Sequence, residues 1–326
     1  MANQEAYHHG MPESHALPVP SQLPDLAQTA RLLPYPGLIG ELARLLEDST
    51  VQVPPRMVLP LAGGGSLFVM PALDARTAIT KLITFTPGNA GSGRATIQGD
   101  VLVFDVASGE RRLLLDGPTV TARRTAAVSV LAAQRLAPCK HGPVLIVGAG
   151  VQGKSHLEAF ADGMGIQEFW IASRSAASSG RLAAHAQSLG LKARVVTDAN
   201  AALAECPMAV TCTPASGVVL SALPRSDAFI AAVGAFPPRM VELDAALCQH
   251  FAARGTIVVD TTDAQHEAGD LLQAGLDVSR FASLAEVVRS QDFPVKGPVL
   301  FKSCGWAGWD LAAARTAIAR AAGLNG

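Results

Sequence analysis

The sequence predicts an α/β protein that combines a doubly wound parallel sheet with a second, smaller α/β unit. A glycine-rich motif follows four consecutive apolar residues at positions 144–147. From about residue 143 to about residue 300, short apolar strands alternate with helical stretches, which is typical of a parallel sheet. The first 140 or so residues instead contain strand-like runs joined by glycine-rich turns, which indicates hairpins.

The composition describes a chain with an ample apolar core and no electrostatic bias. Its 326 residues are 49% hydrophobic, and 26 basic and 27 acidic residues leave a net charge of −1. Length alone predicts about two domains. We expect no nucleic-acid partner because no basic stripe is present. We expect no membrane partner because no apolar run approaches the ~18 residues that span a bilayer.

The N-terminus and the cysteines predict the compartment. Residues 1–30 lack the basic and apolar regions of a secretory signal and are expected to form a loose lead-in. The five cysteines are scattered and form no C-x-x-C pair. This pattern favours a reducing compartment and no metal site, so we expect a cytoplasmic protein without a bound metal.

Residues 31–140 are expected to form the smaller unit. Glycine-rich turns separate strand-like runs near residues 57–61, 66–70, 81–86 and 100–105. Residues 122–137 carry apolar side chains at helical spacing and end at a proline, which predicts a helix and a boundary.

The C-terminus predicts how the two units are connected. Residues 309–322 have a helical pattern after a glycine-rich turn. If this helix returns to the first unit, that unit consists of residues 31–140 and 303–326. The dinucleotide-binding unit is then residues 141–302.

The glycine motif is the most informative stretch of the chain. Gly148, Gly150 and Gly153 have the G-x-G-x-x-G spacing, with Val151 and Gln152 between the last two. The first glycine allows a tight strand-to-helix turn, the second allows close approach of a pyrophosphate, and the third allows close helix packing. Because the motif follows a strand and opens a helix, it predicts a Rossmann dinucleotide-binding fold.

The end of the next strand predicts which dinucleotide binds. An NAD site usually has an acidic residue here for the ribose 2′-hydroxyl. The strand at 168–172 is instead followed by Ser173, Arg174 and Ser175. Hydroxyls and a guanidinium suit a 2′-phosphate, so we expect NADPH, with NADH as a weaker alternative. Further cofactor contacts are expected where later strands end, at Thr211, Thr213 and Gly234.

The chain resembles the ornithine cyclodeaminase/mu-crystallin family. Eight blocks carry the resemblance in order from about residue 51 to residue 314, including VQVPPRMVLP, TAITKLITF and VGAFPPRMVELD. The resemblance implies a Rossmann domain and a discontinuous α/β domain that binds substrate and forms a homodimer. It also implies that two arginines and a lysine bind the substrate carboxylate.

In this chain the positions that match the three carboxylate-binding residues of the family are Arg56, Lys81 and Arg124. Arg56 follows the paired prolines, Lys81 lies in the TKL block, and Arg124 precedes the TAA triplet. The chemistry is consistent, because an arginine fork binds a carboxylate bidentately. The alternatives are a surface position beside the prolines for Arg56, an exposed strand position for Lys81, and a local salt bridge at a helix start for Arg124.

One departure from the family pattern narrows the reaction. Where cyclodeaminases carry an aspartate after the VG of the fifth strand, this chain has Phe236. A phenyl ring cannot exchange the protons of ammonia loss. The chain therefore resembles the ketimine reductase branch, and Phe236 is expected either to form an apolar wall for a substrate ring or simply to pack in the core.

The predicted function is NADPH-dependent reduction of a cyclic ketimine carboxylate. Δ1-Piperideine-2-carboxylate or Δ1-pyrroline-2-carboxylate would accept a hydride at C2 and become pipecolate or proline. Lys81 is the candidate catalytic residue, as proton donor, unless the substrate binds already protonated. The alternatives are alanine-dehydrogenase-like activity, ornithine cyclodeaminase activity, or a non-enzymatic NADPH-binding protein.

Two further polar residues, Asp310 and His156, are expected to have structural roles. Asp310 is expected to cap the last helix, with orientation of an active-site group as the alternative. His156, three residues after the glycine motif, is expected to be a packing or surface histidine and not a catalyst.

Overall fold

The computed structural model describes residues 25–89, 92–214 and 217–323. The α-helices in these ranges are α1 (Leu26–Leu32), α2 (Tyr35–Glu47), α3 (Gly117–Leu136), α4 (Val151–Met164), α5 (Ala176–Ser188), α6 (Ala199–Leu203), α7 (Ala245–Arg254), α8 (Gly269–Gln273), α9 (Leu284–Arg289) and α10 (Ala307–Ala321). The strands are β1 (Met57–Leu61), β2 (Gly65–Leu73), β3 (Thr77–Phe85), β4 (Ile97–Asp105), β5 (Arg111–Asp116), β6 (Val144–Val147), β7 (Glu168–Ala172), β8 (Lys192–Val196), β9 (Met208–Thr211), β10 (Phe229–Ala232), β11 (Thr256–Val259), β12 (Ala282–Ser283) and β13 (Val299–Lys302).

The larger sheet is parallel and has the strand order β12-β11-β13-β10-β9-β6-β7-β8. Its central strands are short and apolar because helices cover both faces, and all four residues of β6 are buried. The chain runs outward from β6 in both directions, so the order reverses between β6 and β9. Ligands bind at such a switch point, outside the carboxyl ends of the strands. The predicted doubly wound α/β fold is confirmed.

The smaller sheet is an antiparallel meander, β1-β2-β3-β4-β5. Its first hairpin turns through Gly63 and Gly64, whose φ angles of 76° and 78° favour glycine. In β3, alternate residues face opposite sides, so Lys81 is buried while its neighbour Leu82 is 41% exposed. Because β3 begins four residues before the predicted strand, Lys81 lies at its centre.

Two helices link this sheet to the rest of the molecule. Helix α3 begins where Asp116 accepts a hydrogen bond from the Thr119 amide at 2.8 Å, five residues before the predicted start. It packs against α2 and α4, while α10 packs against β2, β3, α2 and α3. The last helix thus returns to the antiparallel sheet.

The predicted division into residues 31–140 with 303–326, and residues 141–302, stays a prediction. Of the predicted lead-in, residues 1–24 lie outside the described ranges, and α1 begins at Leu26, capped by Asp25. None of the helices in the described ranges is long and apolar enough to cross a membrane.

Candidate active site

The glycine turn lies between β6 and α4 and needs its glycines for steric reasons. Gly148 has a φ of 117°, and a Cβ there would lie 2.8 Å from the Cys212 carbonyl oxygen. A Cβ on Gly153 would lie 2.0 Å from the Gly148 carbonyl oxygen. The Gly148 amide donates to the Ala172 carbonyl at 2.9 Å, which holds the turn beside the end of β7.

The same turn can hold a pyrophosphate. Helix α4 begins at Val151 with Gly150 as its N-cap, and no side chain caps its first amides. A Cβ on Gly150 would meet nothing within 4 Å, and Val151 is 71% exposed, so the approach is open. The Gln152 Oε1 atom is buried without a hydrogen-bond partner among the described residues. Free amides at a helix N-terminus suit a dinucleotide phosphate.

The residues after β7 form a polar rim beside this turn. Ser175 caps α5 by accepting a hydrogen bond from the Ser178 amide at 3.2 Å. The Ser173 Oγ accepts a bond from the Ser175 amide at 3.4 Å. Arg174 is exposed and has no ion-pair or hydrogen-bond partner in the described part of the chain. Its guanidinium is free to bind an anion.

The loops that follow β9 and β10 are joined by one buried carboxylate. Glu242 accepts hydrogen bonds from the amide and hydroxyl of Thr213 at 2.7 and 2.9 Å, and from the amides of Gly234 and Ala235 at 2.6 and 3.2 Å. A side chain on Gly234 would collide with Thr213 and Glu242. Burial raises the pKa of Glu242, and Lys302 opposes that shift. The carboxylate therefore fixes two strand ends at the switch point. Thr211, at the end of β9, is buried and its hydroxyl has no partner among the described residues.

A buried ion pair between Lys302 and Asp270 lies next to Glu242 and holds its backbone in place. Lys302, at the end of β13, lies 2.6 Å from the Asp270 carboxylate and donates to the Ala235 carbonyl. Asp270 also accepts bonds from the amides of Glu242 and Leu243 at 2.5 and 2.9 Å. Both charged side chains are fully buried. Burial alone would lower the pKa of Lys302, but Asp270 raises it above the usual value, so Lys302 is positively charged.

Lys81 of β3 and Arg124 of α3 meet at Asp310 in the first turn of α10. The Lys81 Nζ lies 2.8 Å from one Asp310 oxygen, and the Arg124 Nε lies 3.2 Å from the other. All three side chains are buried. The cluster carries one surplus positive charge, which a substrate carboxylate would neutralise.

The environment of Lys81 makes it an unusually acidic lysine. Burial lowers its pKa to about 8, with smaller lowering effects from Arg124 and Arg56, while Asp310 opposes the shift. The Thr121 hydroxyl lies 3.4 Å from the Lys81 Nζ. A lysine with this pKa exchanges its proton near neutral pH.

Arg56 lies just before β1 and reaches across to the Rossmann half. It forms an ion pair with Glu267, which follows the short 3-10 helix Thr262–His266 after β11. The two side chains are 22% and 24% exposed. Arg56 is close enough to Lys81 to lower the pKa of that lysine. The structure thus brings all three predicted cations to one region.

The turn before α10 packs against the guanidinium of Arg124. Asp260, at the end of β11, accepts bonds from the Ser303 hydroxyl and the amides of Cys304 and Gly305 at 2.8 to 2.9 Å. A Cβ on Gly305 would lie 3.4 Å from the Arg124 guanidinium, so the backbone packs directly under it. Phe236 is half-buried and packs against the apolar cluster that contains Leu220, Leu243 and Cys304.

The expected capping role of Asp310 is wrong. The N-cap of α10 is Trp306, which makes no side-chain capping bond, and Asp310 is instead fully buried between Lys81 and Arg124. The alternative, orientation of an active-site group, fits its contacts. His156 is buried between Ser129 and the Gln152 carbonyl, and burial lowers its pKa to about 4, as expected of a packing histidine.

Three acidic residues and one lysine of this region were missed from the sequence. Glu242, Glu267 and Asp270 belong to the resemblance blocks, as does Lys302, but the notable feature of each is burial. For Glu242, Asp270 and Lys302 the available signal was a charged residue next to apolar ones, since such a residue is seldom buried unless it is paired. Glu267 stands among other polar residues and gave no such signal.

The family model for the ornithine cyclodeaminase/mu-crystallin family matches residues 35–324. The Azospirillum brasilense Δ1-pyrroline-2-carboxylate/Δ1-piperideine-2-carboxylate reductase is 39% identical over 298 residues, covering 90% of this chain and 94% of that protein. A Burkholderia ambifaria Δ1-pyrroline-2-carboxylate reductase is 38% identical over 297 residues, with the same coverage. Mouse ketimine reductase mu-crystallin is 34% identical over 274 residues, covering 82% and 85%.

Solved structures share the fold at lower identity. The Thermococcus litoralis Δ1-pyrroline-2-carboxylate reductase, in complex with NADH and L-proline, superposes with a TM-score of 0.78 at 23% identity and covers 93% of this chain and 95% of that one. An archaeal alanine dehydrogenase dimer with bound NAD has a TM-score of 0.79 at 24% identity and covers 91% and 95%. At this identity the likeness establishes the fold.

Proposed function

The chain belongs to the ornithine cyclodeaminase/mu-crystallin family, and from that membership we propose that it reduces a cyclic ketimine carboxylate. The substrates are Δ1-pyrroline-2-carboxylate, Δ1-piperideine-2-carboxylate or both, and the products are proline and pipecolate. The observation that carries the proposal is the buried Lys81–Asp310–Arg124 cluster, whose surplus positive charge suits a carboxylate. The relatives at 38–39% identity are named for these substrates.

The coenzyme of the proposed reaction is NADPH. The open glycine turn at Gly148–Gly153 would hold the pyrophosphate, and Ser173, Arg174 and Ser175 would surround the 2′-phosphate. Thr211, Thr213 and Gly234 would lie beside the nicotinamide half, at the switch point. When bound, the reduced nicotinamide supplies the hydride.

The residues of the chain contribute binding and orientation. Arg56, Lys81 and Arg124 hold the carboxylate, and Asp310 holds Lys81 and Arg124 in register with each other. A carboxylate fixed at one point leaves the adjacent C2 atom in a defined position, which is a large part of the rate enhancement in such a site. Phe236 supplies apolar surface for the methylene ring.

The reduction also requires one proton on the ring nitrogen. Lys81 can donate it, because its pKa of about 8 keeps it protonated at neutral pH and able to release the proton. A ketimine that is already protonated in solution is the second source.

A spectrophotometric assay at about 340 nm tests the proposed function through the absorbance of reduced nicotinamide. Oxidation of NADPH by either cyclic ketimine supports it. Turnover of pyruvate with ammonia in place of the cyclic ketimines would favour alanine-dehydrogenase-like activity. Release of proline and ammonia from ornithine would favour cyclodeamination. It would contradict the inference that Phe236, in place of an aspartate, is incompatible with that reaction. Tight NADPH binding without oxidation by any of these substrates would favour a binding protein.

The coenzyme preference gives a first prediction. Arg174→Ala is expected to raise the KM for NADPH about tenfold, because it removes a charge-assisted contact to the 2′-phosphate. The KM for NADH should stay within about twofold. The matched control is Arg181→Ala, an exposed arginine of α5 that contacts Ser178. An equal change for both coenzymes would contradict the assignment.

The buried lysine gives a second prediction, on pH. Cyclopentanecarboxylate, a ring carboxylate without a nitrogen, is expected to inhibit less well as pH rises through about 8. Lys81 carries its positive charge below that pH and loses it above. The carboxyl of this inhibitor titrates far below this range, so the change belongs to the protein. Lys81→Met should bind weakly at every pH, and a pH-independent inhibition constant in the unmodified protein would rule out Lys81 as a carboxylate ligand.

The assembly and compartment are also proposals. The exposed apolar side chains of Met57, Leu59 and Leu82 share one face of the antiparallel sheet, and a second copy of this chain would cover them. Sedimentation equilibrium tests this homodimer. The cytoplasmic location rests on the cysteine pattern, and fractionation of cells that express the protein tests it.

A further inference from the structure

Arg56 and Glu267 form an ion pair in the site of the proposed function, on which this inference rests. Arg56 lies just before β1 of the antiparallel sheet and Glu267 follows β11 of the parallel sheet, so the pair joins the two halves of the chain. Lys81 and Arg124 are both bound to Asp310, whereas the described residues offer Arg56 no partner other than Glu267. Glu267 therefore stands where the carboxylate of the substrate would bind Arg56.

A substrate that takes Arg56 must leave Glu267 without its counter-ion. Glu267 is about three-quarters buried, and a buried carboxylate without a partner is costly. Burial already raises its pKa, Arg56 opposes that shift, and Asp260 and Asp263 add to it. Losing Arg56 would leave a carboxylate among other acids, which would strongly favour a cation.

The cyclic ketimine brings such a cation with it. Its ring nitrogen and its carboxylate are attached to the same carbon, and protonation makes the nitrogen positive. The molecule can thus enter the ion pair, with its carboxylate on Arg56 and its nitrogen on Glu267. One ion pair is replaced by two, and no charge is left unpaired.

We propose that Glu267 binds the protonated ring nitrogen of the substrate and makes the site selective for a carboxylate that carries an adjacent cation. In the free protein Glu267 is paired with Arg56, and the substrate carboxylate replaces Glu267 on that arginine. A simple carboxylate therefore binds more weakly for two reasons. It must break the Arg56–Glu267 pair, and it leaves Glu267 without a counter-ion.

The backbone around Glu267 is held firmly enough for this role. Asp270, three residues later, is bound to Lys302 and to two amides. A side chain on Gly269 would lie 2.1 Å from the Met240 carbonyl oxygen, so this segment packs tightly. The side chains of Arg56 and Glu267 nevertheless remain partly exposed, which allows exchange of partners.

The experiment compares two competitive inhibitors on Glu267→Gln. L-Proline carries a carboxylate and a cationic ring nitrogen, and cyclopentanecarboxylate has the same ring and carboxylate without the nitrogen. The inhibition constant of L-proline is expected to rise about tenfold or more, because a charge-assisted bond is lost. The constant of cyclopentanecarboxylate is expected to fall, because Arg56 no longer has an internal competitor.

The opposite directions distinguish recognition from a structural role. A merely structural ion pair would weaken both inhibitors together, and that result, or no change in either, would overturn the proposal. Glu267→Asp keeps the charge and should restore part of the preference for L-proline. It also serves as the second variant if Glu267→Gln is poorly folded, with a reduced preference relative to the unmodified protein as the expected result.

The matched control is Asp263→Asn. Asp263 is exposed, lies in the 3-10 helix before Glu267, and contributes to the raised pKa of Glu267 without contacting Arg56. Both inhibition constants should stay within about twofold in this variant. Failure of the proposed function would be recognised separately, because the unmodified protein would then oxidise no NADPH with either ketimine.

Discussion

Arg124→Ala is expected to raise the KM for the cyclic ketimine about 50-fold, within the range that charge-assisted hydrogen bonds provide. The guanidinium is one of the carboxylate ligands in the proposed site, and it is held by Asp310 on one side and by the turn at Gly305 beneath. The KM for NADPH should change by less than about twofold, because Arg124 is not among the residues of the proposed coenzyme site. Initial rates at varied ketimine and fixed NADPH provide the measurement.

The neighbouring residue is a suitable control for this substitution. Arg123 also belongs to α3, but its guanidinium stacks 3.9 Å from the Tyr35 ring and donates to the Leu33 carbonyl at 2.8 Å. Arg123→Ala should lower stability modestly and leave the KM for the ketimine unchanged. If Arg124→Ala left that KM unchanged, its assignment as a carboxylate ligand would be refuted.

Lys302→Met is expected to lower the free energy of unfolding by about 3–5 kcal/mol, the usual effect of removing one partner of a buried ion pair. Asp270 would remain fully buried as an unpaired carboxylate, and the Ala235 carbonyl would lose a donor. The urea midpoint of unfolding, followed by tryptophan fluorescence, measures the change.

Two comparisons make this result specific to burial. Arg225→Met breaks a pair with Asp227 whose side chains are 40% and 39% exposed, and it should cost less than about 1 kcal/mol. Adding Asp270→Leu to Lys302→Met should recover part of the loss, because the stranded charge is then removed. Similar losses from Lys302→Met and Arg225→Met would contradict the buried pair as the source.

Local patterns were enough to predict much of the fold. The strand at 168–172 has the predicted bounds, because strands covered on both faces of a parallel sheet are short apolar runs. Helix α2 was missed although Leu38, Leu42 and Leu45 have helical spacing and are buried, since its first residues include proline and glycine. Strand β13 was missed because it has only three apolar residues and ends in Lys302, a residue type that is seldom buried.

The chain by itself determined the dinucleotide turn, because Gly148 and Gly153 are required by contacts within a single strand–turn–helix unit. It also determined the doubly wound class and, through ordered blocks, the family. Only the tertiary structure decided the partners of the buried charges: Asp310 with Lys81 and Arg124, Glu267 with Arg56, and Lys302 with Asp270. All four contacts are beyond the reach of local patterns, because the partners lie 32 to 229 positions apart in the chain. The energy of a buried charge depends on the groups that surround it in space, and the residues next to it in sequence do not reveal which groups these are.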